Sequence, residues 1–204
     1  MEDLYIFPRA FEQVYFLMYS LEAQADEDDV VRIKRAFEAF PWQGGYSAVG
    51  FYDHLKHITP RQNRPQIKSI EYHSPGWIDL DLINHVAESV GILVTSVGAS
   101  LTVVNSTYNR IVKGMQERKL MRIKIEREQL ILDREQLRFV EECADSMAHV
   151  LGFSSIQEIH RRTGDPYRSL KILLSLFRRV RTLVEFEDKG KAHLPTPVPK
   201  NRGR

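Results

Sequence analysis

Two pairs of side chains have the residue types of metal ligands. His54 and His57 are three positions apart in a segment of helical periodicity, so one helical turn would present both imidazoles. Asp79 and Asp81 alternate with apolar residues, so a strand would present both carboxylates on one face. Neither pair supplies the three or four ligands that a metal site needs, and both patterns are typical of solvated surfaces. The sequence therefore predicts no metal-binding residue.

Residues suited to nucleophilic chemistry are also sparse. His73 and Ser74 place a base next to a hydroxyl, but neighbouring residues of a strand point to opposite faces. Cys143 is the only cysteine, and its apolar neighbours favour a small buried side chain over a reactive thiol. No P-loop, dinucleotide fingerprint or zinc-protease motif is present. We therefore expect no catalytic residues and no cofactor, and a protein that is not an enzyme.

The composition is that of an ordinary globular protein, but the charges are distributed unevenly along the chain. Of 204 residues, 43% are hydrophobic and 27% are charged, which predicts a sizeable core. Residues 1–60 carry 5 basic and 10 acidic side chains (net −5), and residues 153–204 carry 12 and 5 (net +7). Such a chain can orient against a partner or another copy of itself. The single cysteine and the acidic start at Glu2 and Asp3 favour a cytoplasmic location.

Residues 1–82 are predicted to form a small α+β lobe. Residues 4–7 are a short strand candidate that ends at Pro8, and helical periodicity follows over residues 9–24, 26–40 and 47–58. Residues 66–72 and 77–82 alternate apolar and polar side chains on either side of Ser74-Pro75-Gly76. Proline followed by glycine suits a type II turn, so we expect a β-hairpin to which the first strand could pair.

Residues 83–152 are predicted to form a long helix with two different halves. The first half contains residues 86–104, whose mean hydropathy of roughly 1.7 is near the threshold for membrane helices. Gly91 and Gly98, seven positions apart, would allow another helix to approach closely. Because Glu88 interrupts the segment, a buried or self-associating helix is favoured, and membrane association is the alternative.

The second half, residues 118–147, has neither glycine nor proline and contains a near-repeat of seven residues. Glu126 to Leu130 has the sequence EREQL, and Asp133 to Leu137 has the sequence DREQL. Heptad spacing predicts a coiled-coil-like helix with two apolar seams. The first seam contains Leu120, Ile123, Leu130 and Leu137, and the second contains Ile125, Leu132 and Phe139.

Residues 153–188 are predicted to form a basic helical hairpin. Ser155 and Glu158 have the spacing of a capping box, Gly164 would end the first helix, and Asp165-Pro166 would begin the second. The apolar face of the second helix contains Leu170, Leu173, Leu174, Phe177, Val180 and Val184. A basic surface of Arg161, Arg162, Lys171, Arg178, Arg179 and Arg181 could meet nucleic acid or anionic lipid. Residues 189–204 contain three prolines and are expected to be disordered.

The strand at residues 67–72, the Ser74-Pro75-Gly76 turn and the long charged helix through Leu137 resemble a set of uncharacterised bacterial proteins with that order of parts. Some of those proteins are adaptor-like components of conflict systems, so the resemblance implies an adaptor role and transfers no catalytic residue. We expect an α+β, mainly α, interaction or oligomerisation protein whose partner is itself or another helix. The alternatives are membrane association through residues 86–104 and nucleic-acid binding through the basic C-terminal helix.

Overall fold

The computed structural model describes residues 3–22, 27–39, 49–71, 77–120 and 132–194, and these are mostly helical. Within them, the N-terminal helices are α1 (Asp3–Glu22), α2 (Glu27–Ala39) and α3 (Val49–Ile58). Two short strands follow, β1 (Gln66–Glu71) and β2 (Trp77–Asp81). The remaining helices are α4 (Asn84–Ala99), α5 (Leu101–Glu117), α6 (Arg134–Val150), α7 (Gln157–Thr163) and α8 (Pro166–Asp188).

Helix α8 is the centre of the fold. It packs against α1, α4, α6 and α7, and all six residues of its predicted apolar face are buried. Its start is built as predicted: Gly164 takes a φ of +63° and ends α7, and the Asp165 side chain accepts a hydrogen bond of 2.7 Å from the Arg168 N–H. Because Ile172, Leu176 and Leu183 are buried as well, α8 is enclosed by other parts of the protein on most sides.

The prediction of one helix through residues 118–147 is wrong where the structure describes them. Helix α5 ends at Glu117, Lys119 takes a φ of +57°, and α6 begins only at Arg134. Asp133 and Gln136 form a capping box, in which Asp133 Oδ1 accepts from the Gln136 N–H at 2.8 Å. The second copy of the near-repeat therefore starts a new helix, and residues 121–131 lie outside the described residues.

Residues 86–104 do not form one helix either. Ser100 separates α4 from α5, and the two helices meet at an angle of 86°. In the described parts of the chain, no single helix has both the length and the apolar composition needed to cross a bilayer, although this bent pair passes that test jointly. The buried face of α4, which includes Val90, Val94 and Val97, packs against α1 and α8.

Residues 4–7 are helical, so the prediction of a strand there is wrong. They form the start of α1, which continues through Pro8. Proline removes one helical hydrogen bond, but Phe7 packs on Phe186 of α8 with ring centroids 5.5 Å apart, and Phe11 is buried. Tertiary packing of these rings therefore outweighs the local signal of the proline.

Strands β1 and β2 pair antiparallel, with Ile67 opposite Leu80 and Glu71 opposite Trp77. The Ser74-Pro75-Gly76 turn falls among residues 72–76, outside the described residues. Tyr15 of α1 ties the segments that flank the strands to the core. Its hydroxyl donates to the Asn63 carbonyl at 3.1 Å and accepts from the Ile83 N–H at 3.3 Å.

The chain after α8 is partly ordered against the core. Gly190 takes a φ of +64° and Leu194 is buried, so the expectation of disorder is wrong for residues 189–194. Residues 195–204 lie outside the described residues.

Candidate functional site

The predicted interaction seams are not continuous in the described residues. Leu120 is fully buried beyond the end of α5, and its carbonyl accepts a hydrogen bond from the Tyr167 hydroxyl. Leu137, on α6, is 38% exposed, while Leu132 and Phe139 are half-buried. Because α5 and α6 are separate helices, Leu120 and Leu137 do not share one helical stripe. The other seam residues, Ile123, Ile125 and Leu130, lie outside the described residues.

The predicted basic surface is largely taken up by internal contacts. Lys171 is only 6% exposed, and burial lowers the pKa of its ammonium to about 8, so its assignment to a solvated surface is wrong. Arg162 donates to the Leu21 carbonyl at 2.8 Å, and Arg181 lies 3.7 Å from Glu185. Arg161 is exposed. Arg178 donates to the Tyr108 hydroxyl of α5 at 3.4 Å, and Arg179 donates to the Gln13 side chain of α1 at 2.8 Å, so these two side chains contact neighbouring helices. Arg181 pairs instead within α8.

The structure describes His54, His57 and Cys143, three of the side chains considered for chemistry. His54 and His57 are both exposed on α3, and no cluster of three or more metal-ligating side chains occurs among the residues described. Cys143 is buried, and desolvation raises the pKa of its thiol to about 11. His73 and Ser74 fall outside the described residues.

A cleft of about 380 Å³ lies between α1 and α3. Lining positions on α1 recur every three or four residues, which places them on one helical face, and those on α3 lie within a single turn. Charged lining side chains come from both helices: Arg9, Glu12, Asp53 and Lys56. The remaining lining is provided by Tyr5, Pro8, Gln13, Phe16 and Tyr52.

The side chains at the mouth of the cleft are polar, and some of them form an ion pair or a hydrogen bond with one another. Lys56 Nζ lies 3.0 Å from Glu12 Oε2, an ion pair that joins α3 to α1. Arg9 Nη1 donates to the Tyr5 hydroxyl at 2.7 Å, and the Arg9 guanidinium also lies over the Tyr5 ring. Asp53 is exposed beside these groups. Donors, acceptors and an aromatic ring therefore converge at one opening.

A half-buried guanidinium from the central helix lies under the floor of the cleft. Behind Gln13 and Tyr52, Arg179 Nε donates to Gln13 Oε1 at 2.8 Å and Nη1 donates to the Ser175 carbonyl at 3.0 Å. The guanidinium carbon lies 4.4 Å from the centroid of the Tyr52 ring. Burial lowers the pKa of Arg179, and the nearby charges of Arg178 and Arg9 lower it further, while Tyr52 opposes the shift.

Tyr52 completes the floor. Its side chain is only 1% exposed, and its hydroxyl accepts a hydrogen bond of 3.2 Å from Ser175 Oγ. Burial raises the pKa of this phenol, and the positive charge of Arg179 only partly offsets that effect. The hydroxyl therefore stays protonated near neutral pH, and its hydrogen bond with Ser175 holds the ring in place.

Sequence reasoning missed this cleft for identifiable reasons. Assigning residues 4–7 to a strand separated Tyr5 from Arg9, which are helical neighbours four positions apart in α1. The polar positions Arg9, Glu12 and Gln13 were the available signal, because they lie close together on one face of a helix that is otherwise apolar. No sequence signal linked them to Arg179, since that contact spans 166 positions.

The cleft has the size and the mixed polarity of a small-molecule site, which typically measures about 300–1,000 Å³. Its side chains offer charged donors, charged acceptors and aromatic surface, a combination that serves recognition. No protein-family model, curated protein or solved structure matches the chain.

Proposed function

We propose that this protein is a non-enzymatic binding protein that holds a ligand of small-molecule size in the cleft between α1 and α3. The ligand is either free or the exposed end of a partner chain, which is the form an adaptor would use. The observation that carries the proposal is the convergence of Arg9, Asp53 and Tyr5 on an opening whose floor, at Tyr52, is fixed.

The walls of the cleft are preorganised for binding. Phe16 and Tyr52 belong to the hydrophobic core, and the ion pair between Glu12 and Lys56 joins the two helices across the opening. A site whose side chains are already held in place loses little conformational entropy when a ligand binds. The rigid floor and the more exposed mouth therefore support specific recognition of a small group.

Filling the cleft with a large side chain tests this proposal. Asp53→Trp places an indole at the opening, and Asp145→Trp is the matched control, because Asp145 is also an exposed helical aspartate, on α6 away from the cleft. We expect a fragment library screened by ¹H–¹⁵N NMR to shift amide signals of α1 and α3. Asp53→Trp should remove these shifts and Asp145→Trp should keep them. Hits that cluster on other helices would refute the assignment of the site.

We also propose self-association through the coiled-coil-like segment, on a separate observation. Leu137 is 38% exposed in the first turn of α6, next to the segment that carries Ile123, Ile125 and Leu130. Leu137 continues the heptad spacing of Ile123 and Leu130 in the sequence, and its exposure supports a contact with a second copy or another helix. Light scattering should give a molar mass above that of one chain for the wild type and a lower mass for Leu137→Lys. A monomeric wild type at high concentration would eliminate this proposal.

A further inference from the structure

We propose that the ligand of the α1–α3 cleft carries an anionic group, a carboxylate or a phosphate, attached to a flat apolar body. This inference rests on the proposed binding function and adds the chemistry of the ligand. It follows from three features of the cleft: the half-buried charge under its floor, the charges at its mouth, and one exposed aromatic ring.

The charge under the floor has only neutral contacts among the described residues. Arg179 donates to the amide oxygen of Gln13 and to the backbone carbonyl of Ser175, and its guanidinium lies against the Tyr52 ring. Within the part of the chain that the structure describes, no carboxylate lies within ion-pair distance of it. Arg179 is half-buried, so its charge is partly removed from water without a counter-charge. An anion bound above it would offset part of that cost.

Arg9, at the mouth of the cleft, adds to the positive electrostatic potential of Arg179. Arg9 hydrogen-bonds the neutral hydroxyl of Tyr5, so its charge also lacks a carboxylate among its described contacts. Burial lowers the pKa of Arg179, and the positive charges of Arg178 and Arg9 lower it further, so Arg9 and Arg179 contribute to one region of positive potential. An anion between Arg9 and the floor would be attracted by both groups, and Arg9 could bind it through two N–H donors.

Two carboxylates that line the cleft would repel a bound anion, one of them more strongly than the other. Glu12 is paired with Lys56 at 3.0 Å, so its charge is largely compensated. Asp53 has no such partner among the described ion pairs and is exposed at the mouth. The four lining charges cancel, and the positive excess comes from Arg179 behind them. Removing the charge of Asp53 should therefore strengthen anion binding, whereas general damage to the cleft would weaken it.

The apolar part of the ligand is indicated by Tyr5. Its ring is 63% exposed at the edge of the cleft, although Phe7, two positions later in α1, packs on Phe186. An exposed ring beside an arginine offers a stacking surface for a flat group whose charged end contacts the guanidinium. Aromatic acids and aromatic phosphates combine these features, whether free or at the end of a peptide.

Four probes that share or lack these features test the inference on the full chain. Phenyl phosphate and benzoate are flat anions, inorganic phosphate is an anion without the apolar body, and benzylamine is a flat cation. We expect NMR titrations to show phenyl phosphate and benzoate binding in the cleft, inorganic phosphate binding at least about tenfold more weakly, and no benzylamine binding. The two aromatic anions also distinguish a phosphate from a carboxylate as the preferred group.

Charge variants with opposite expected effects make the result independent of folding. Arg9→Gln should weaken phenyl phosphate binding about tenfold, and Asp53→Asn should tighten it about threefold. The matched controls Arg134→Gln and Asp145→Asn change exposed residues of α6 and should leave the affinity within about twofold. Circular dichroism of each variant checks that the helices are intact.

The outcomes separate the two proposals. Benzylamine binding in the cleft more tightly than the anions, or weaker anion binding in Asp53→Asn, would overturn the anionic ligand and leave the cleft as a binding site. Equal affinities for inorganic phosphate and phenyl phosphate would overturn the apolar body alone. No change at any amide of α1 or α3 with all four probes would overturn the anionic inference. If a fragment library also left these amides unchanged, the binding function itself would fail.

Discussion

Replacing Gly114 by alanine is expected to destabilise the protein because α5 and α6 are separate helices that pack on each other. In one continuous helix the same substitution would stabilise it. A Cβ atom at Gly114 would lie 2.6 Å from Cζ and 3.0 Å from Cε2 of Phe139. The two residues are 25 positions apart, so in one continuous helix they would be separated by about 37 Å. Only a chain that folds back brings them together.

The magnitude follows from two opposing effects. Alanine is about 1 kcal/mol more favourable than glycine inside a helix, and that gain is all that a continuous helix would show. In the folded-back structure the Phe139 ring must move, and overpacking of this kind costs about 1–3 kcal/mol. The ring would also leave the Arg118 guanidinium, which lies 4.0 Å from its centroid and contributes about 0.5–1 kcal/mol. We expect a net loss of about 1–2 kcal/mol, or roughly 4 °C in Tm.

Two further variants control the measurement, which is the free energy of unfolding in urea followed by circular dichroism. A Cβ at Gly98 would lie 3.6 and 3.8 Å from the Val184 methyl groups, an ordinary contact, so Gly98→Ala should stabilise by about 0.5 kcal/mol. Phe139→Leu shortens the side chain, and in that background Gly114→Ala should no longer destabilise, as a double-mutant cycle would show. If Gly114→Ala stabilised the wild type as Gly98→Ala does, the packing of α5 on α6 would be refuted.

Three other variants follow from buried polar groups. Burial lowers the pKa of Lys171 from its ordinary 10.5 to about 8. Between these pH values the unfolded chain binds more protons than the folded protein, so the free energy of unfolding should rise with pH, by roughly 3 kcal/mol in all. Lys171→Met should remove this rise. Tyr15→Phe leaves the Asn63 carbonyl and the Ile83 N–H without their partner and should cost about 1–2 kcal/mol in urea unfolding. Arg179→Met should leave stability unchanged or raise it while weakening phenyl phosphate binding; these two quantities come from urea unfolding and NMR titration. The first argument would be contradicted if stability depended on pH in Lys171→Met as it does in the wild type. The second would be contradicted by unchanged stability in Tyr15→Phe, and the third by unchanged affinity in Arg179→Met.

The elements that could be predicted from sequence are those whose signals are local and agree with one another. The start of α8 combines an acceptor side chain at Asp165, a proline at the first helical position and a glycine at the end of the preceding helix. The leucine, phenylalanine and valine residues that follow have helical periodicity. Capping, backbone preference and hydrophobic pattern specify the same helix, so no tertiary information was needed to place it.

The errors arose where two local signals compete. The sequence DREQL supports a heptad seam through Leu137, and its aspartate and glutamine also form a capping box that begins a helix. Which of these prevails depends on whether the chain folds back so that Phe139 packs on Gly114. Similarly, Pro8 favours the end of an element, and only the contact of Phe7 with α8 shows why the helix continues.

The candidate cleft lay beyond sequence reasoning because its parts are distant in the chain. Its walls come from α1 and α3, and its floor depends on Arg179, which was assigned from sequence to a solvated basic surface. The periodicity of α8 places that residue near the edge of the apolar face, but it does not reveal which helix covers it. Only the arrangement of α1 beside α8 covers part of this arginine and brings it against Gln13.

Arg179 contacts the residues that form the floor of the cleft, and it also supplies the positive charge on which the proposed anion binding rests. Helix α8 is enclosed on most sides, so an apolar side chain at this position would avoid the cost of removing a guanidinium from water. The contact of Arg179 with the Tyr52 ring already uses the positive charge, and a bound anion would use it further. A variant that loses anion affinity while gaining stability would therefore separate recognition from support, because a purely structural contact would lower both together.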